Sequence, residues 1–499
     1  MKALTKKTLG LAGILILTGT ITRAAEPVIV KKITFNEARE ITWQNSHILK
    51  QSALMQQRRS QEKRAARGLY YPSVGITAQA MLMQEDIRLD LTPVEDAITP
   101  LYQTLGTYGK FGGITGIPDE MATALVRQKI LAGLNEIEKG DWNRMIQERD
   151  FGVVTATVEW PVYAGGRIRA ANKAASIQLR EATEADRQKQ GELMSELAER
   201  YYGLCLARQV VAVRQTVLSG LQQHLDDALK LETEGMIAHS DVLHARVFHA
   251  QANRELSKAL DEAATVNKAL TSTLVLSDTV TVEPASDLFY LDSIEPLAYF
   301  QSLAASHNPL LDQIESKKEL ARQACKAEQA AYFPAVLVQG AYNLADKNLS
   351  PYMPGWEAGV GLKWNLFDGL SKYAKVRAAR LQVEEAGEFG QKSQSDISTL
   401  VEKKYREIRM YHDQLAELAE ARNYAEEYLR TCESEFRHEM SQSTRVVDAR
   451  LALAQVNTER LQAMYHYDTA LAKLLEYSGI PGDYPSYINR PGVKTERYQ

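Results

Sequence analysis

The stretch Trp356-Glu357-Ala358-Gly359-Val360-Gly361-Leu362-Lys363-Trp364-Asn365-Leu366-Phe367 decides the fold. Trp356, Ala358, Val360, Leu362, Trp364 and Leu366 alternate with Glu357, Gly359, Gly361, Lys363 and Asn365, and a two-residue period places the two sets on opposite faces of a strand. One face is apolar with aromatic rings near its ends, as hydrocarbon contact requires. The other is small or charged, as a water-filled lumen requires. Val74, Ile76, Ala78, Ala80 and Leu82 repeat the pattern against Ser73, Gly75, Thr77 and Gln79. Gly152, Val154, Ala156, Val158 and Trp160 repeat it against Thr155, Thr157 and Glu159. Strands are expected at 71–83, 151–163, 334–343 and 355–367, the third being weaker because Leu337 breaks the alternation.

Each strand pair runs into a long proline-free region. No proline occurs between Pro161 and Pro284 or between Pro354 and Pro481, and proline is excluded from helix interiors by its missing N–H and its ring. Helices are expected at 34–45, 47–69, 167–234 and 240–275, and again at 294–307, 309–331, 370–438 and 442–478. Ile168 to Glu234 is 67 residues, roughly 100 Å of helix at its usual rise. Ile397, Val401, Ile408, Tyr411, Leu415 and Leu418 keep one apolar seam, while Lys, Glu, Gln and Arg fill the other faces. A polar, charge-mixed helix of this length is expected to form a coiled coil with solvent on one or both sides.

The halves are copies of one plan. Trp160-Pro161-Val162-Tyr163-Ala164-Gly165 matches Trp364-Asn365-Leu366-Phe367-Asp368-Gly369 at an offset of 204, and the same offset aligns 235–255 with 439–459. There Met236/Met440, Val242/Val446, Ala245/Ala449, Arg246/Arg450 and four further pairs are identical, far above chance. Tyr71-Pro72-Ser73-Val74 matches Phe333-Pro334-Ala335-Val336 at an offset of 262. The first copy therefore carries an insertion between its strands, about 84–150, with a turn-rich loop at 109–118 and a helical stretch at about 119–137.

Composition sets the class. The 499 residues are 24% charged with net charge −4, which gives no reason to expect a nucleic-acid partner. Lys2, Lys6 and Lys7 before the apolar run Leu9–Thr18, with small residues near Ala24, read as a signal peptide over 1–24. No other run is long enough for a spanning helix, so membrane insertion must use strands. Four strands cannot close a barrel, and open edges cannot lie in lipid. Several chains must contribute, and three would supply 12 strands. Cys205, Cys325 and Cys432 are scattered through helical pattern and read as buried free thiols. His239, His244 and His249 lie near a helix tip without ligand spacing, and no metal, cofactor or catalytic constellation is expected. The chain is not read as an enzyme.

These residues resemble the TolC family of outer-membrane efflux proteins over about 33–480. The carriers are the Tyr-Tyr-Pro-Ser and Tyr-Phe-Pro-Ala junctions, the segments 160–167 and 364–370, and the tip Glu-Gly-Met-Ile-Ala-His-Ser-Asp-Val at 234–242. The resemblance implies an α+β membrane protein: a homotrimer sharing one 12-stranded β-barrel, four strands per chain, continuing into a helical periplasmic tunnel. It also implies a periplasmic adaptor and an inner-membrane pump as partners, in efflux or type I secretion. Tyr71, Trp160, Tyr332, Phe333, Trp356, Trp364 and Phe367 would form the lipid-facing aromatic girdle. Gly235, Met236, Glu439 and Met440 would face the adaptor. Asp448 would ring the periplasmic constriction, with Asp241 and Ser240 as gate contacts and Arg445, standing where an aspartate is usual, as a partner for Asp241. The implied organisation is a first repeat over 25–277, with its hairpin at 167–275, a linking segment at 278–293, a second repeat over 294–480 and a tail at 481–499. The competing reading is an envelope-spanning coiled-coil tether or adhesin, which leaves the amphipathic strand pairs and their duplication unexplained. The insertion would lie at the outer mouth, either narrowing the pore or merely decorating it.

Overall fold

The structure is a computed structural model that describes residues 29–277, 279–438 and 442–498. The expected signal segment 1–24, and Glu439 and Met440 of the second tip, lie outside the described residues. In chain order the first half contains β1 (Ile29–Ile33), α1 (Phe35–Asn45), α2 (His47–Gly68), β2 (Ser73–Leu82), β3 (Ile87–Asp90), α3 (Thr92–Tyr108), α4 (Asp119–Lys139), β4 (Asn143–Gln147), β5 (Asp150–Ala164), α5 (Arg167–Thr233) and α6 (His239–Thr273). The second contains β6 (Val280–Pro284), β7 (Leu288–Leu291), α7 (Leu297–His307), α8 (Pro309–Gln329), β8 (Ala335–Lys347), β9 (Trp356–Lys363), α9 (Ser371–Arg437), α10 (Ser443–Tyr477), α11 (Tyr484–Ile488) and β10 (Val493–Glu496).

The duplication extends to element ends. Helices α5 and α9 have 67 residues each and α6 and α10 have 35 each, with starts and ends displaced by the 204 residues that relate the motifs. Helices α1 and α7 have 11 residues each, displaced by 262. Among the described residues no helix is long and apolar enough to cross a membrane.

The chain divides into two compact units. One holds the residues up to Leu54, Glu184–Asp312 and those from Gln391 onward. Its core is an aromatic cluster of Phe35, Tyr201, Tyr202, Phe289 and Tyr484, with ring centroids 5.3–5.7 Å apart for Phe35 with Tyr201, Tyr202 and Tyr484 and for Tyr202 with Phe289. Two small ladders flank it, β1 parallel to β6 and β7 antiparallel to β10. The Tyr201 hydroxyl donates to the Ile33 carbonyl (2.7 Å) and accepts from the Ser286 N–H (3.0 Å). Burial pushes its pKa up to about 12, so it stays a donor. The Asn267 amide holds both main-chain groups of Val282 (2.6 and 3.3 Å), seating β6 on α6. The segment 278–293 thus supplies two strands, and the tail 481–499 returns as α11 and β10, with Tyr484 and Tyr487 buried.

The other unit, Met55–Thr183 and Gln313–Gly390, contains a four-stranded antiparallel sheet in the order β2-β5-β8-β9. The insertion belongs to it as well. Beyond the expected helix at 119–137, which runs Asp119–Lys139, the insertion holds a second helix, α3, and the two-stranded β3–β4 ladder. Helices α3 and α4 meet at glycines, a Cβ at Gly106 falling 2.7 Å from Leu131.

Candidate functional site

The register of the sheet decides what its faces can touch. Val74 lies opposite Val158, Ile76 opposite Ala156 and Ala78 opposite Val154. Trp160 then lies opposite Val338, which lies opposite Val360. Tyr342 lies opposite Trp356, and Val336 opposite Leu362. Directly opposed residues share a face, so the apolar sets of all four strands merge into one continuous apolar surface. The second face collects Thr77 with Thr155, Thr155 with Asn343, Gly75 with Thr157, Glu159 with Gln339, and Ala341 with Glu357. Leu337, which broke the alternation, falls on this polar face opposite Gly361.

Among the described residues nothing covers the apolar surface at its outer strands. Val74, Leu82, Trp356 and Val360 are 73, 79, 67 and 73% exposed, values ordinarily reserved for charged residues. A patch of this extent marks an interface with apolar matter. The sheet also ends in two edges, β2 and β9, whose outward N–H and C=O groups have no strand beside them among the described residues.

All seven expected girdle residues, Tyr71, Trp160, Tyr332, Phe333, Trp356, Trp364 and Phe367, are exposed. Tyr342 and Trp356 mark one end of the apolar surface. At the other end the two copies make the same contact: the Trp160 indole donates to the Tyr70 carbonyl (2.9 Å), and the Trp364 indole to the Tyr332 carbonyl (3.1 Å). Each indole fixes a helix-to-strand junction while its ring stays outside. The strand-to-helix turns also correspond. Gly165 and Gly166 have φ of 63° and 96°, and their counterparts Gly369 and Leu370 have φ of 68° each. A Cβ at Gly165 would overlap the Ala330 carbonyl.

The first tip closes α5 through Gly235, at φ 75°, with Gly235 N–H bonded to the Glu232 carbonyl and Met236 N–H to the Leu231 carbonyl, both at 2.9 Å. This left-handed cap needs glycine, and it leaves Met236 48% exposed. Ser240 and Asp241 lie in the first turn of α6, Ser240 exposed and Asp241 half-buried. Arg445 forms its ion pair with Glu435 of its own hairpin (2.9 Å), whereas Asp241 has no ion pair among the described residues. Asp448 is exposed on α10.

The two hairpins are joined by a contact that sequence reading did not foresee, although it pairs Val242 with Val446 and Ala245 with Ala449 as repeat partners and reads Cys432 as a buried thiol. Leu225, Ala228, Val242 and Ala245 of the first pack with Cys432, Phe436, Val446 and Ala449 of the second. His224 shares a 2.7 Å hydrogen bond with Ser443 and lies against Phe436. Burial, with the Arg450 guanidinium nearby, brings the His224 pKa down to about 4, so the ring is neutral at neutral pH. Arg450 is paired with Glu433 and lies over Gly220, where a Cβ would overlap the guanidinium. The available signal was a glycine in mid-helix opposite an arginine shared by both repeats.

A family model described as outer membrane efflux protein matches residues 144–274 and 301–479. The chain is 25% identical over 271 residues to protein CyaE of Bordetella pertussis, covering 52% of this chain and 56% of that one. It is 24% identical over 309 residues to the alkaline protease secretion protein AprF of Pseudomonas aeruginosa, covering 58% and 62%. It therefore spans about three fifths of the length of these curated relatives. The outer membrane protein VceC of Vibrio cholerae has a similar fold, with a TM-score of 0.67, 13% identity, and coverage of 89% of this chain and 96% of that one.

Proposed function

The chain belongs to the outer membrane efflux protein family, and on that premise we propose that three copies join their sheets edge to edge into one 12-stranded barrel, continued by the long helices as a periplasmic tunnel. Its place is the outer membrane, and its role is transport without catalysis. The observation that carries the assembly is the apolar surface running unbroken across four strands whose two edges are unpaired. Lipid accepts the surface, but it cannot accept the edges. Because the four strands alternate in direction, β9 of one copy runs antiparallel to β2 of the next under rotation about an axis along the barrel. Closure therefore needs no further element.

The polar faces line a water-filled lumen through which substrates pass passively, delivered by a periplasmic adaptor and an inner-membrane pump. The match to AprF, named for alkaline protease secretion, favours polypeptide export over small-molecule efflux. Gly235 and Met236 of the first tip face the adaptor. Asp448 rings the periplasmic constriction, with Asp241, Ser240 and the Arg445–Glu435 pair beside it. Three carboxylates about a three-fold axis attract cations and concentrate divalent ions. In planar bilayers the purified protein should give discrete cation-selective steps blocked by millimolar divalent cations. Asp448→Ala should weaken that block about tenfold or more. Channels with unchanged block would sink the gate assignment, and a protein that forms no channels would favour a coiled-coil tether.

A further inference from the structure

Helices α2, α5, α8 and α9 all join the sheet at one end, because β2 and β8 begin there and β5 and β9 finish there. Cations gather at these junctions. Helix α5 opens with Arg167 and Arg169, and α9 carries Lys375, Arg377 and Arg380 in its first three turns, with no acid in the first turn of either. Only Arg167 and Arg169 stand in a first helical turn, where a cation is unfavourable. The start of α9 is capped from within the chain, the Asp368 carboxylate accepting from the Lys372 N–H (3.0 Å). None of these five makes an ion pair with a described residue, and all are exposed. An anion from outside the chain would offset the mutual repulsion of these exposed cations.

At one junction the cations and aromatic rings form a groove of 560 Å³. Tyr373, Arg377 and Arg380 share one face of α9, and Tyr332 and Phe333 supply the facing wall. Lys372 lies 5.9 Å over the Tyr332 ring. Since Tyr332 receives the Trp364 indole, the groove adjoins the end of the apolar surface. The other repeat carries the same chemistry on different residues: Tyr70 and Tyr71 correspond to Tyr332 and Phe333, and Arg169 and Lys173 to Tyr373 and Arg377.

We propose that this groove binds an anionic phospholipid, with Arg377 and Arg380 gripping the headgroup phosphate and the acyl chains running onto the apolar surface. The proposal rests on the reading of that surface as lipid-facing. Guanidinium forks match phosphate oxygens, and aromatic rings suit the boundary between headgroup and chains. A neighbouring copy is a poor occupant. The segment it would bring to the free edge of β9, the end of α2 and the start of β2, carries Arg64 and Arg67, which make no ion pair with a described residue. Inorganic phosphate would leave the rings and the adjoining apolar surface unused.

Native mass spectrometry of the full-length protein in neutral detergent can compare short-chain phosphatidylglycerol, phosphatidylcholine of equal chain length, and inorganic phosphate. Phosphatidylglycerol should be retained at about tenfold lower concentration than phosphatidylcholine. R377Q/R380Q should erase the difference. K403Q/R409Q, which removes two exposed cations farther along α9, should preserve it. Should R377Q/R380Q fail to insert, R377K/R380K, which keeps charge but loses the fork, must bind phosphatidylglycerol more weakly than wild type. Unchanged preference in the arginine variants overturns the site, as does displacement of the lipid by an equal concentration of inorganic phosphate. An inserted oligomer with no lipid preference overturns the groove alone, whereas a protein that never inserts overturns the channel reading first and the groove with it.

Discussion

Asp468 is fully buried on α10, where one carboxylate oxygen accepts from the Phe289 N–H (3.3 Å) and the other finds no partner among the described residues. Burial raises its pKa well above the ordinary 3.8. The folded state therefore holds a proton that the unfolded chain releases at lower pH. The contribution to stability is complete below the unfolded pKa and is lost as pH rises towards the folded one. Asp468→Asn, which removes the ionisation, should stabilise the protein at pH 8 by on the order of 1–3 kcal/mol. The gain should shrink towards pH 4, measured by denaturation at both values. An equal gain at both would contradict this account. Nothing in the local pattern singles out Asp468. It lies in a plain helical pattern, and what buries it is β7, 179 residues earlier in the chain. Arg445 shows the same limit, since its partner Glu435 follows from how the hairpin closes rather than from local spacing.

At the scale of elements the helices and the large sheet were legible, because proline gaps and strict periodicity are local properties. Helix α3 was not. It contains Pro93, Pro100 and Gly106, residue types that ordinarily interrupt a helix, yet Pro93 occupies the tolerated first turn, and Gly106 permits close contact with α4. The ladders β1–β6 and β7–β10 were also hidden, being 4–5 residues long and paired across some 200 residues or more of chain. The two copies of the hairpin end invite a direct comparison. Helix α10 ends through Gly479 at φ 79°, and α6 ends through the equivalent Val275 at φ 54°, with the same pair of capping hydrogen bonds. A β-branched residue in the left-handed region costs about 1–2 kcal/mol. Val275→Gly should raise the melting temperature of the purified protein, by about 1 kcal/mol of stability. Gly479→Ala should lower it by more, because a Cβ there would overlap the His307 carbonyl. Opposite signs are expected, and a destabilising Val275→Gly would show that the valine side chain, not the backbone, governs that end.

For the whole molecule, the decisive information is what one chain leaves unfinished. Alternation foretold an apolar and a polar face, but only the register shows that the four apolar sets coincide and that β2 and β9 remain open. The cargo lies beyond any one chain, because a lumen of small and polar side chains encodes little selectivity. Edge closure can be measured directly in a cysteine-free background carrying Thr77→Cys on β2 and Glu357→Cys on β9. Within one chain these strands are separated by β5 and β8, about 14 Å apart at the usual strand spacing. A shorter bis-maleimide can therefore join only different copies. Treatment of intact outer membranes should yield a covalent trimer as the largest product on denaturing gels, with each single-cysteine variant remaining monomeric. Uncrosslinked monomer, or an open ladder beyond three copies, would contradict the closed trimeric barrel.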